Sequence, residues 1–150
     1  MTGKTIFVNP GEGTALRVVG DTIRVLAGAP DTGGAYEIFE LRGPRDSGPP
    51  PHAHPWNEAY VVLEGEAEVL VDGSTRNVTA GCFVNIPAGA VHSYRVLSEG
   101  ARFIIVTSPA GAAEFFAELD RETEGSKDDL AKIVAVATRH GFTVPPPPAG

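Results

Sequence analysis

The sequence predicts an all-β barrel followed by a short pair of C-terminal helices. Three observations carry that expectation. From Thr5 to Thr107, short runs rich in Val, Ile, Phe and Tyr alternate with Gly, Pro, Asp and Asn. The chain holds 18 Gly and 13 Pro in 150 residues, enough turn formers to keep strands short. After Ser108-Pro109 the texture changes to stretches rich in Ala, Glu and Leu, which suit helices.

Strands are predicted near 16–19, 22–26, 36–41, 58–63, 67–71, 76–79, 82–86, 93–97 and 102–107. Many short strands at close, even spacing mean a sandwich or barrel. Turn signals separate them, among them Asp31-Thr32-Gly33-Gly34, Glu64-Gly65-Glu66, Asp72-Gly73-Ser74 and Pro87-Ala88-Gly89. Asp72-Gly73 between two apolar runs predicts a hairpin, because Gly takes the positive φ such turns need.

Two helices are predicted over 112–122 and 126–140. In the second, Ser126 is the expected N-cap, with Asp128 and Asp129 in the first turn. Leu130, Ile133, Val134 and Ala137 share one face, Arg139 and His140 suit the dipole at the end, and Gly141 closes it. The proline run 145–148 is expected to be extended. The expected division is a barrel over 1–108, with a helical extension and Pro-rich tail over 109–150 of the same domain. The helices are expected to pack on the barrel's outside or on a partner subunit.

Composition narrows the function classes. Net charge is −7, from 19 acidic and 12 basic residues, and such a surface repels phosphate backbones, so no nucleic-acid partner is expected. No Lys or Arg cluster suits an anionic membrane, and no apolar stretch reaches spanning length. Thr5-Ile6-Phe7-Val8 is too short for the apolar core of a signal peptide. The lone Cys82 excludes an internal disulfide and fits a cytoplasmic location. Cys82 reads as a small core residue. Ser47, Ser93 and Ser108 lack a nucleophile-elbow pattern, and Gly11-Glu12-Gly13 lacks the context of a phosphate loop.

Three of the four histidines lie in two short segments. The first is His52-Ala53-His54-Pro55-Trp56-Asn57-Glu58. Strand side chains alternate faces, so His52 and His54 point the same way, and Glu58 keeps that parity unless Pro55 breaks the strand. The second is Pro87-Ala88-Gly89-Ala90-Val91-His92, where a tight turn delivers one more imidazole. A lone His-x-His is a weak signal. His-x-His-x3-Glu followed by Pro-x-Gly-x2-His in an all-β chain is much rarer. Three imidazoles and a carboxylate suit one divalent transition metal, Fe, Mn, Ni, Co or Zn, and would leave coordination positions open on an octahedral ion.

At these residues the sequence resembles the cupin superfamily. His52, His54, Glu58 and Gly65 match the spacing of the first cupin motif. The motif's opening Gly is missing, since Gly48 sits too close to His52. Gly81, Pro87, Gly89 and His92 match the second motif, whose closing Asn is Val96 here. The whole also resembles small single-domain, quercetin-dioxygenase-like cupins. The resemblance implies a jelly-roll barrel, a metal near its mouth held by His52, His54, Glu58 and His92, and a homodimer.

If Glu58 and His92 face inward, parity places Tyr60, Val62, Tyr94 and Val96 on the same side as a candidate substrate pocket. Plain core packing is the favoured reading for Val62 and Val96, and an equal one for Tyr60 and Tyr94, whose buried hydroxyls want a partner. Trp56 reads as a rim, lid or surface-packing residue, and Arg24, Arg102 and Glu40 as candidate charges at the mouth. The leading functional expectation is a metal-dependent dioxygenase-like enzyme acting on a small aromatic or enol-type molecule. Glu58 is the candidate catalytic residue, able to accept a proton from a substrate hydroxyl. The alternatives are a Lewis-acid isomerase or cyclase, and a non-catalytic small-molecule binder.

Overall fold

The structure is a computed structural model, and it describes residues 2–146. Nine strands form two antiparallel sheets. The strands are β1 (Thr14–Val18), β2 (Asp21–Ala27), β3 (Glu37–Pro44), β4 (Asn57–Glu64), β5 (Glu66–Val71), β6 (Ser74–Thr79), β7 (Phe83–Ile86), β8 (His92–Val96) and β9 (Gly100–Ser108). The larger sheet runs β1-β2-β3-β9-β4-β7 and the smaller β6-β5-β8. Strand neighbours far apart in sequence, such as β3 with β9 and β5 with β8, are the mark of a jelly roll rather than a meander.

Period-two alternation explains the sheets. β9 buries Ala101, Phe103, Ile105 and Thr107 and turns the residues between them outward. β3 does the same with Glu37, Phe39 and Leu41. These side chains meet Tyr60, Val62, Ile86 and Val96 from the neighbouring strands to form the core. Burying such side chains contributes roughly 1.5–3 kcal/mol each. The β5–β6 hairpin closes through Asp72 (φ 48°) and Gly73 (φ 81°), the two positive angles that its tight turn requires. Between β4 and β5, Gly65 has φ 86°, and a Cβ there would lie 2.3 Å from the Gly100 carbonyl oxygen.

Among the described residues, three helices complete the fold: α1 (Ala29–Thr32), α2 (Ala112–Thr123) and α3 (Leu130–Arg139). The Asp31–Gly34 turn signal therefore belongs to a helical turn, closed by Gly33 at φ 67°. α2 is anchored by Glu37, a buried carboxylate on β3 that accepts from the backbone N–H groups of Gly111 (3.1 Å) and Ala113 (2.8 Å). An anion at a helix N-terminus satisfies otherwise orphaned donors.

α3 corrects two expectations. Its N-cap is Asp129, which accepts from the Lys132 amide at 3.2 Å, and not Ser126. Helix geometry then begins three residues later, and the buried face is Ile133, Val136 and Ala137, while Leu130 is 60% exposed and Val134 also faces solvent. The expected pairing of Arg139 and His140 with the helix end becomes a pairing with α2, because both bind Glu118. Pro145 and Pro146 continue without regular structure, while Pro147 and Pro148 of the expected tail lie outside the described residues.

Candidate metal centre

The site begins as backbone pairing. His52 sits in the segment between β3 and β4 and exchanges two backbone hydrogen bonds with His92, the first residue of β8, at 3.0 and 2.9 Å. That exchange puts their rings 4.3 Å apart, and His54 lies 4.7 Å from His92 and 5.7 Å from His52, centroid to centroid. One ring nitrogen from each of the three lies within 4.8 Å of the others. Glu58, the second residue of β4, brings its carboxylate against two of the three rings, those of His54 and His92.

Ring orientation fits a metal. Each imidazole turns Nδ1 to a backbone carbonyl: His52 to Pro50 (2.8 Å), His54 to Trp56 (3.0 Å) and His92 to Ala90 (2.8 Å). A carbonyl can only accept, so each Nδ1 carries a hydrogen and donates it. The opposite nitrogen, Nε2, is left for the centre of the cluster. Backbone carbonyls that fix the tautomer in this way are the usual outer support of histidine ligands.

Glu58 Oε2 accepts from Nε2 of His54 at 2.7 Å and from Nε2 of His92 at 3.0 Å. Burial alone would raise the Glu58 pKa, but the hydrogen bonds and charge of His54 and His92 outweigh it and hold the carboxyl at about 2. Burial lowers the His92 pKa less than Glu58 raises it, so the net shift is upward. Burial, reinforced by the charge on His92, takes His52 down to about 4, so that ring is neutral near pH 7. The buried Glu58 carboxylate is thus compensated by hydrogen bonds from two imidazoles. A divalent cation supplies the same compensation to the same donors, so the residues present fit a metal.

Around the cluster lies a cavity of about 90 Å³. Its polar walls are His52, His54 and Glu58 at one end and Tyr60, Tyr94 and Asp21 further in. The expected pocket residues divide here. Tyr60 and Tyr94 line the cavity, whereas Val62 and Val96 sit behind it in the core, at most 1% exposed. They lie one pleat further along β4 and β8, beyond the reach of the opening.

The helical extension does more than cover the barrel's outside. Phe115, Phe116 and Leu119 of α2, Ile133 and Ala137 of α3, and Phe142 after it close the cavity. Phe142 reaches His52, His54, Trp56 and Phe115 with centroid distances of 4.2–5.5 Å. Trp56 is accordingly buried beneath this cover, stacked on His54 at 4.7 Å and 17°, and is not a surface residue. Arg24, Arg102 and Glu40 form ion pairs with one another on the outward face of the larger sheet, away from the cavity. Cys82 is half-buried just before β7, short of the core position expected for it.

Sequence reasoning missed Asp21 and the aromatic cover. Asp21 reads as one of many turn acids next to Gly20. Phe142 follows the helix-closing Gly141, where a hydrophobic contact back onto the helix is common, and that was its available signal.

Known proteins decide the family. The family described as Cupin domain matches residues 40–107, a span that includes all three clustered histidines and Glu58. The chain is a cupin-domain protein. It is 32% identical over 111 residues to Quercetin 2,3-dioxygenase of Bacillus subtilis (strain 168), covering 73% of this chain and 33% of that one. The cupin therefore spans about a third of that relative's length, and between half and three fifths of three other curated relatives. Among solved structures it superposes on KdgF from Halomonas sp. with TM-score 0.67 at 19% identity, covering 74% of this chain and 99% of that one. It also superposes on the polyketide cyclase RemF from Streptomyces resistomycificus with TM-score 0.61 at 27% identity, covering 69% and 79% respectively. Among the described residues, no helix is long and apolar enough to cross a membrane.

Proposed function

We propose that this cupin is a metal-dependent, dioxygenase-like enzyme that acts on a small aromatic or enol-type molecule. His52, His54, Glu58 and His92 would hold one divalent transition metal, Fe, Mn, Ni, Co or Zn. The observation that carries the reading is the convergence of three imidazole Nε2 atoms, each backed by a carbonyl on Nδ1, beside one carboxylate. A bound ion would supply Lewis-acid polarisation and open positions for small ligands.

The chain's own residues do the rest. Phe115, Phe142 and Trp56 exclude water from the cluster, which strengthens every electrostatic contact there. Tyr60 and Tyr94 present edges and hydroxyls to a flat ring. Glu58 is the group placed to take a proton from a substrate hydroxyl. The likeness to Quercetin 2,3-dioxygenase favours a flavonol as the first substrate to try.

A second reading keeps the ion and drops oxygen: an isomerase or cyclase. The likeness to the polyketide cyclase RemF favours it. Oxygen uptake with quercetin, measured after loading each metal in turn, separates the two. Metal-dependent uptake supports the first reading, and turnover indifferent to oxygen supports the second.

We also read the strands and the helical extension as one folding unit, since Glu37 and Phe142 tie them together. A homodimer is supported by an exposed apolar arm in which Phe7 is 91% exposed. A cytoplasmic location rests on the single unpaired Cys82.

A further inference from the structure

Apart from the histidine cluster, one polar group in the cavity wall is unaccounted for. Asp21 opens β2 and is 5% exposed, with hydrophobic Val18, Ile23 and Leu41 around it in the wall. Its Oδ2 accepts a hydrogen bond from the Tyr94 hydroxyl. Its Oδ1 is buried and has no partner among the described residues, and neither has the nearby Ser47 Oγ. Both atoms lie against the inward side of Gly43, which has no Cβ to displace them. A Cβ on Gly43 would come within 2.7 Å of Asp21 Oδ1 and 2.5 Å of Ser47 Oγ. Burial pushes the acid up to about 6, against the neighbouring Ser47 and Tyr94 hydroxyls, which lower it. Leaving a buried carboxylate oxygen unpaired is costly, so a donor is wanted there.

We propose that Asp21, held by Tyr94, is a second polar anchor of the cavity and takes a hydroxyl of the bound molecule. The inference rests on the small-molecule reading of the site and deepens it. The substrate would be a hydroxylated aromatic or enol with one oxygen toward the histidine cluster and a second hydroxyl, set away from it, donating to Asp21. The two polar groups line one otherwise mostly apolar cavity, whose wall also includes Tyr60 and Tyr94. Such a layout selects by hydroxyl position, because a molecule lacking the second donor leaves Asp21 unpaired.

The test compares phenol with resorcinol and hydroquinone, whose two hydroxyls are too far apart to chelate one metal. Dissociation constants are measured by ligand-observed NMR on the purified full chain and on Asp21→Ala, Asp21→Asn and Tyr94→Phe. At least one diol should bind parent protein ~10-fold tighter than phenol, the scale of a hydrogen bond to a charged group. The preference should vanish in Asp21→Ala, shrink in Asp21→Asn, and survive in Tyr94→Phe, which frees a carboxylate oxygen. Equal binding of phenol and both diols by the parent overturns the anchor, as does a preference that persists in Asp21→Ala. The parent comparison holds even if a variant misfolds. No binding of any of the three overturns the anchor and the pocket reading together. A diol preference without metal-dependent oxygen uptake upholds the anchor and sinks only the dioxygenase reading.

Discussion

The Phe142 ring lies nearly parallel to that of His52, centroids 5.5 Å apart and planes 22° apart. A residue beyond the last helix thus packs directly on an imidazole of the histidine cluster. The segment is held there by backbone bonds between Ala53 and Thr143 at 2.8 and 2.9 Å. The cavity beneath, about 90 Å³, is smaller than the roughly 150 Å³ void that accepts benzene. A ring-sized substrate therefore needs this cover to move.

Phe142→Ala should destabilise the fold by about 1–3 kcal/mol, below the full core value because the site is only partly buried. It should also speed ligand entry and loosen His52. Urea unfolding and stopped-flow binding of a phenolic probe check both. Unchanged stability and unchanged entry would show that the aromatic cover is incidental.

Protons and metal compete for the same nitrogens. The Glu58 carboxylate accepts from His54 and His92 and raises the His92 pKa. A group with a raised folded pKa holds its proton until pH rises through that value, so metal binding must displace it. Apparent affinity for Zn or Ni should therefore fall as pH falls below neutrality, with proton release on binding. Calorimetry in buffers of different ionisation enthalpy reads that release. Binding without proton release contradicts the arrangement.

Asp21 makes an opposite kind of prediction. Its folded pKa of about 6 lies above the ordinary value of 3.8, so the folded chain holds the proton more tightly than the unfolded one. That contribution to stability is fully present below the unfolded value and is lost as pH rises through about 6. The total is of order 3 kcal/mol. Asp21→Asn does not titrate and should gain on the parent by a few kcal/mol near pH 8, with little difference near pH 4. Paired urea titrations at the two pH values measure it. A variant equally destabilised at both would mark Asp21 as a purely structural residue.

Glu58→Gln removes the charge while keeping an amide oxygen near His54 and His92. Metal affinity should drop by ~10–100-fold, the usual scale for altering a metal's polar support. Where metal is retained at saturating concentration, turnover should still fall, because the amide cannot accept the substrate's proton. Turnover unchanged at full metal occupancy would remove Glu58 from the proton role.

The nine strands were legible because alternation and turn chemistry agree over 14–108: every predicted strand overlaps an observed one. The strand pairing was not. Nothing local says that β9 inserts between β3 and β4, since that contact is made by residues some sixty positions apart in sequence. The His52–His92 cluster was legible as a motif, because the spacing encodes the backbone exchange that builds it. Ser126 read as the cap because Asp128 and Asp129 after it suit a first turn, and the burial of Ile133, Val136 and Ala137 settles which face turns inward. Asp21 carried no local signal at all. Its role depends on Tyr94 and Gly43, which reach it from two other strands.

The central claim is that His52, His54, Glu58 and His92 hold one metal ion, and elemental analysis tests it most directly. The purified chain and a His52→Ala/His54→Ala double variant are compared after reconstitution with Fe, Mn, Ni, Co and Zn in turn. The account predicts about one equivalent per chain in the parent and essentially none in the variant. No retained metal in the parent with any ion, or equal metal in the variant, would contradict it.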